Sequence, residues 1–438
     1  MAEAITDRRV LAIALPIMLS NATVPILGAV DTGVVGQMGE AAPIGAVGIG
    51  AVILSAIYWI FGFLRMGTAG LVAQAHGAGD AAETGALLMR ALLIAGAAGL
   101  GFILLQVPLF WGAFALAPAS EEVETLAQTY LRIRIWGAPA AIGLYALTGW
   151  LIALERTRAV LIIQVWMNGL NIVLDLWFVL GLGWGVEGVA VATLIAEVSG
   201  AALALWFCRA AFSGAQWRDW ARILDRAKVR RMMSLNLDIM LRSILMETAF
   251  LSFLFFAADQ GDVTLAANQV LLQFLHITAY ALDGFAFSAE ALVGQAVGAR
   301  NLGRLRRSVW LTCKWGAVIA IALAALFWAA GPWIIDLMTT SQEVRAEARR
   351  YLPWMILGPI LGLAAWMLDG IFIGATRGRD MRNAMLVSTL IYWVCALSLV
   401  GPLGNHGLWL ALMVFNVARG ITLGVRYPKV EGDARAAA

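Results

Sequence analysis

Several carboxylates and one arginine stand inside stretches that are otherwise almost wholly apolar. They are Asp31, Asp175 and Glu197 in the first half of the chain, and Asp238, Arg242, Glu247, Asp283, Glu290 and Asp369 in the second. A charge in hydrocarbon is costly, so such groups face a cavity or a partner and mark ion or substrate pathways. Apolar surroundings disfavour the charged form of a carboxylic acid, which suits it to exchanging a proton near neutral pH. Asp31 follows Pro16 and Pro25, and prolines within a span free carbonyls that can line a cavity and let the helix bend or gate. Asn168, Asn171 and Asp175 are spaced three and four apart, which puts them on one helix face as a polar stripe. Such a stripe can hold a carboxylate, relay a proton, or simply bond one helix to another. Asp238 and Arg242, four apart, are expected to pair. Glu247 and Asp369 have no partner nearby in sequence, and with Asp283 they form a candidate cation or substrate site.

Long helices are needed to position these groups. The 438-residue chain is 61% hydrophobic and 13% charged, against about 45–50% and about 25% in soluble domains, so lipid must be its solvent. Apolar runs long enough to cross a bilayer lie near residues 10–36, 45–69, 86–113, 126–153, 159–183 and 186–208. They resume near 232–258, 263–297, 309–331, 351–375, 384–401 and 404–425. None alternates with period two, so helices rather than a barrel are expected. The expected fold is an all-α integral membrane protein with about twelve transmembrane helices.

The chain also repeats itself. The segment Gly70–Gly77 returns as Ala291–Gly298, 221 positions later, and Ser120, Glu122, Tyr130, Gly137, Gly149, Arg156 and Arg158 recur at the same offset. Two pseudo-symmetric six-helix lobes follow. Basic residues gather after even-numbered spans (Arg156, Arg158; Arg218 to Arg231; Arg300 to Arg307; Arg377 to Arg382), while the odd breaks are short or mostly acidic. By the positive-inside rule both termini are cytoplasmic. Six spans per half then make the repeat parallel. The expected organisation is an N-terminal lobe over 1–208, a cytoplasmic basic linker over 209–231, a C-terminal lobe over 232–425 and a cytoplasmic tail over 426–438. Trp217 and Trp220 among arginines read as an interfacial segment of the linker. The charges are not duplicated with the scaffold: Ser252 stands opposite Asp31 and Thr148 opposite Asp369. The two lobes should therefore do different jobs.

The first span with Pro16 and Asp31, the Gly70–Gly77 segment with its second copy, Asn171 with Asp175, and the runs Leu237–Ser243 and Gly374–Arg377 together resemble the multidrug and toxic compound extrusion (MATE) transporters, in the branch named for DNA-damage-inducible protein F. The resemblance covers nearly the whole chain. It implies a secondary active antiporter that exports cationic or amphipathic compounds by alternating access, in exchange for protons or sodium. It implies Asp31 as the coupling carboxylate, with Asn171, Asp175 and Thr193 in the same N-lobe cluster, and Glu247 and Asp369 as counterparts of the acidic residues of the sodium-coupled branch. Where some members carry a tyrosine one turn before the first-span aspartate, this chain has Leu27.

A lipid-linked saccharide flippase of the same general architecture is the alternative; it needs a strongly basic cavity, whereas the deep charges here are mostly acidic. Neither a Gly-x-Ser-x-Gly elbow nor a His-Glu-x-x-His helix is present, so an enzyme is not expected. Without an ATP-binding loop, an ion gradient must supply the energy. The expected coupling ion is the proton before sodium, with no cofactor, no resident metal and no nucleic-acid partner. The expected setting is a bacterial inner membrane, with the chain a monomer in contact with drug-like molecules and lipid.

Overall fold

The computed structural model describes residues 4–37, 41–116, 119–213 and 216–435, apart from the side chains of 26–29, 31, 32, 116 and 216. Helix α1 (Asp7–Gly36) opens the chain with 30 residues. Among the described residues, eleven segments, all after α1, are long and apolar enough to cross a membrane: α2 (Ala41–Gly77), α3 (Ala81–Leu104), α4 (Glu121–Ala153), α5 (Thr157–Gly181), α6 (Gly185–Phe207), α7 (Arg226–Ala258), α8 (Asp262–Gly298), α9 (Leu302–Met338), α10 (Gln342–Gly374), α11 (Gly378–Leu403) and α12 (Asn405–Asp433). The shortest, α6, has 23 residues and so reaches about 35 Å at the helical rise, enough for the hydrocarbon core. Large apolar side chains point outward along these helices; Leu104 is 80% and Trp328 74% exposed. Lipid removes the penalty that water would impose on them. No strand occurs among the described residues.

The 221-residue repeat is visible in helix ends, caps and packing. Shifted by 221, the bounds of α2 fall on those of α8 and the bounds of α4 on those of α10. Ser120 and Ser341 cap α4 and α10, each hydroxyl accepting from the third residue on, Val123 N and Val344 N, at 3.4 Å. Asp80 and Asn301 cap α3 and α9 in the same way, from Glu83 N and Arg304 N at 2.9 Å. Such caps satisfy the amides a helix start leaves open. The left-handed residues match as well: Gly79 with Arg300, Glu155 with Thr376, and Gly183 with Gly404. A Cβ on Gly149 would collide with the backbone of Arg65, and one on Gly370 with the backbone of Ala286. Both contacts demand glycine, because two helix backbones approach too closely for any side chain.

Two differences between the copies stand beside the candidate residues. Helix α2 is interrupted after Trp59 and resumes at Gly62, whereas α8 runs unbroken. Helix α5 ends in a π-helical stretch, Leu176–Gly181, directly after Asp175, whereas α11 stays α-helical to Leu403. Breaks and π turns in spanning helices often mark functional positions.

Two compact units form. The first contains Leu19–Val72 and Asp80–Arg231; the second contains the start of α1 through Met18, Ala73–Gly79, and the chain from Met232. In the first, Leu174, Phe178 and Ala192 make a small core, and the Phe178 ring stacks 4.9 Å from that of Trp184. The 209–231 segment is tied down: the buried Arg90 donates to Ile223 O and Arg222 O at 2.7 and 2.6 Å, and Lys228 meets Glu83 at 2.5 Å. In the second unit, fully buried aromatics dominate, with the rings of Phe253 and Trp409 4.7 Å apart. Asn268 and Asn405 exchange amide hydrogen bonds at 2.8 and 2.9 Å. The two copies of the repeated segment meet within this unit reciprocally: a Cβ on Gly77 would strike the Gln295 backbone, and one on Gly298 the Gln74 backbone. Gln74 Nε2 donates to Gly374 O and Thr376 Oγ1, both at 3.1 Å. Within the expected tail, Tyr427–Asp433 is a docked helix, with both Asp433 oxygens accepting from Arg377 at 2.7 Å and Glu431 accepting from Arg306.

Candidate ion-coupling and substrate site

In the first unit, α5 carries the polar stripe on a buried face. Asn168 Nδ2 donates to Thr23 Oγ1 at 2.9 Å and to Thr23 O at 3.2 Å, while its own oxygen accepts from Gln164 at 2.9 Å. These bonds fasten α5 to α1 two residues before Pro25. One turn on, Asn171 Nδ2 donates to Thr193 Oγ1 of α6 at 3.2 Å, and Thr193 in turn donates to Val189 O at 2.9 Å. Asp175 follows, fully buried, at the point where α5 widens into its π turn. The expected companions Asn171, Asp175 and Thr193 thus occupy neighbouring positions on α5 and α6, with Asn171 and Thr193 in contact. The side chain of Asp31 lies outside the described residues. Pro16 and Pro25 both sit within α1, the first buried and the second exposed.

A second polar cluster in this unit joins α2, α4 and α6. Arg134 Nη2 meets Glu197 Oε1 at 2.7 Å, and Arg134 Nη1 reaches Tyr130 Oη at 3.3 Å. The Tyr58 and Tyr145 hydroxyls lie within electrostatic range of Glu197. Glu197 is visible in the sequence as an isolated carboxylate. Arg134 is not, because it stands near the polar start of its apolar run and its partner is 63 positions away.

In the second unit the sequence expectations are rearranged. The spacing predicts an Asp238–Arg242 pair, but both groups reach across helices: Asp238 accepts from Arg382 of α11 at 2.5 Å, and Arg242 donates to Asp369 of α10. Asp369 also accepts from Arg419 of α12 at 2.5 Å, and Arg419 is steadied by Asn416 at 3.2 Å. Asp369 is therefore not an unpaired deep carboxylate. It stands five residues before the end of α10, about 7.5 Å along the helix, between two guanidinium groups. A carboxylate so placed is already neutralised and is a poor sodium ligand. Glu247 is exposed on α7, within electrostatic range of His276, and no hydrogen bond or ion pair joins it to Asp369 among the described residues. Asp283 is half-buried on α8. No cluster of three or more His, Cys, Asp or Glu occurs among the described residues.

The MatE family profile matches residues 16–177 and 239–397, one segment in each repeat. The chain belongs to the MATE family. It is 40% identical to DNA damage-inducible protein F of Escherichia coli over 95% of this chain and 91% of that protein. It is 26% identical to the probable multidrug resistance protein NorM of Pseudomonas aeruginosa, over 92% and 86%. The fold superposes on an outward-facing multidrug resistance MATE transporter with a TM-score of 0.88, over 98% and 97% of the two chains at 20% identity. As a MATE protein the chain is a membrane transporter of the multidrug and toxic compound extrusion type and not an enzyme. Its family resemblance, read from Asp31, Asn171 and Asp175, is met by the whole chain.

Proposed function

We propose that this MATE transporter exports cationic or amphipathic compounds in exchange for protons, and that coupling resides at Asp31, Asn171, Asp175 and Thr193. The observation that carries this reading is the contrast in carboxylate surroundings. Asp175 is wholly buried beside an amide–hydroxyl network that can hold it in either protonation state, whereas Asp369 is bound by two arginines. A carboxylate in apolar surroundings gains most from neutralisation, so proton binding changes its partners and the local helix shape. The NorM relative's name, multidrug resistance protein, supports drug-like cargo. The saccharide-flippase alternative is disfavoured, since buried Arg134 is paired with Glu197 while Arg242 and Arg419 both bind Asp369, which leaves one excess positive charge rather than a strongly basic cavity for a pyrophosphate. Basic loops after even spans support an inner-membrane protein with both termini cytoplasmic, acting as a monomer.

The test is efflux of ethidium from proteoliposomes under a pH gradient and, separately, a sodium gradient. The proton reading expects efflux with the pH gradient alone and its loss in Asp31→Asn and Asp175→Asn. Efflux driven only by sodium, or wild-type efflux in both variants, overturns it.

A further inference from the structure

We propose that Glu197, clamped by Arg134 and faced by Tyr58, forms a second proton-binding site in the first unit, a buried hydrated pocket linked to the coupling cluster through α6. The inference rests on the coupling reading above but on different residues.

The geometry begins with what is left unsatisfied. Glu197 Oε1 accepts from Arg134, but Glu197 Oε2 is buried with no hydrogen-bond partner, and so is the Tyr58 hydroxyl. Tyr58 is 7% exposed. Buried polar atoms in native proteins are almost always paired, commonly by an internal water. Two such atoms within electrostatic range of each other call for a shared small polar occupant. Beside Arg134 that occupant is water rather than a metal cation, which the guanidinium repels. The pocket owes its room to Gly137, where a Cβ would come within 2.9 Å of Glu197 Oε2.

Depth points the same way. Glu197 lies twelve residues into the 23-residue α6, and Tyr58 lies at the break of α2, both near the middle of their spans. An intramembrane carboxylate at that depth is a pathway residue by default. Thr193, bonded to Asn171, is one helical turn before Glu197 on the same face of α6. A short polar chain therefore runs from Asp175 and Asn171 through Thr193 to Glu197.

The internal repeat removes the structural alternative. The positions 221 residues after Tyr58, Arg134 and Glu197 hold Ala279, Met355 and Ala418. The same scaffold closes there without these charges, so the fold does not require them. The groups facing Glu197 are Tyr58 of α2, and Arg134, Tyr130 and Tyr145 of α4, while α5 contributes Asp175 on the Thr193 side and Arg65 of α2 lies near Tyr145. In the proposed step the pocket water gives a proton to Glu197 Oε2 while it takes one from a hydronium outside the pocket. Net, one O–H bond of that hydronium breaks, the carboxyl O–H bond forms, and water remains on both sides. Arg134 keeps its charge and loses an anionic partner.

The test uses the full chain in proteoliposomes, with ethidium as probe and infrared difference spectra between alkaline and acidic buffer as a second readout. Wild type should show a protonated-carboxyl band component that Glu197→Gln removes and Tyr58→Phe shifts. Glu197→Gln should still bind ethidium but lose pH-driven efflux by about tenfold or more, the size of a coupling free energy. Tyr58→Phe deletes only a hydroxyl and serves if Glu197→Gln fails to fold. An unchanged band in Glu197→Gln with wild-type efflux overturns the inference; if Asp175→Asn abolishes efflux at the same time, the coupling reading survives alone. Wild-type efflux in both Asp31→Asn and Asp175→Asn overturns the coupling reading instead, and the Glu197 band still decides this one.

Discussion

The first unit keeps an arginine–carboxylate pair, Arg134 with Glu197, near mid-span with one carboxylate oxygen unpartnered. The second keeps Asp369, close to the end of α10, between Arg242 and Arg419, the latter steadied further by Asn416. Both stand on one duplicated framework. A carboxylate held by two cations fastens helices together and changes little when ions come and go. One held by a single cation has somewhere to put a proton. The difference between a staple and a switch thus lies in how many partners the carboxylate has, rather than in how deeply it is buried.

The largest expected effect comes from breaking the staple. Asp369→Ala leaves Arg242 and Arg419 facing each other without a counter-charge and should cost about 3–5 kcal/mol. A thermal melt of the detergent-solubilised protein would register it as a large drop, and an unchanged melt would remove Asp369 from the structural role. Next, the second copy's residues can be transplanted into the first. The double variant Arg134→Met with Glu197→Ala should fold within about 1 kcal/mol of wild type, because apolar replacement of a whole buried ion pair is often neutral. Its pH-driven ethidium efflux should nevertheless collapse. A smaller effect is expected at Asn171→Ala, which removes the Thr193 contact; it should lower stability by about 1 kcal/mol and displace the pH profile of efflux, and an unmoved profile would detach this amide from coupling. Smallest is Arg300→Gly. Arg300 holds φ 49° where its counterpart is Gly79 at φ 76°. Copying the glycine relieves backbone strain, partly offset by a more flexible unfolded chain, for a gain of up to about 1 kcal/mol by melting temperature.

Much of the framework could be read before any coordinates. The 221-residue offset already pairs Ser120 with Ser341, which the structure shows to be matching caps, whereas the left-handed Glu155 and Thr376 share the offset but not the residue type and so go unmarked in the sequence. The Asn168–Asn171–Asp175 stripe is local, since its spacing is that of a helix face. The two arginine clusters are not. Arg242 and Asp369 are 127 positions apart, and Arg419 and Asp369 are 50 apart. Spacing rules reward neighbours one turn away, which is why Asp238 attracts Arg242 on paper while Arg382, from another helix, holds it in the fold. Arg134 and Arg419 also stand near the ends of their apolar runs, where a charge looks like an ordinary boundary residue.

The crossing of Gly77 on Gln295 and Gly298 on Gln74 has a further meaning. Each segment presents to the other the surface it receives, which is how identical subunits meet across a two-fold axis. A single six-helix chain with this segment could pair with itself by the same contact. While such a chain remains a dimer, every substitution arrives twice: an Arg at position 134 would bring an Arg at 355, and a Glu at 197 a Glu at 418. Joining the copies end to end lifts that constraint. Each copy can then be charged independently, so covalent fusion is what lets one duplicated framework hold Arg134 with Glu197 in one copy and Asp369 between two arginines in the other.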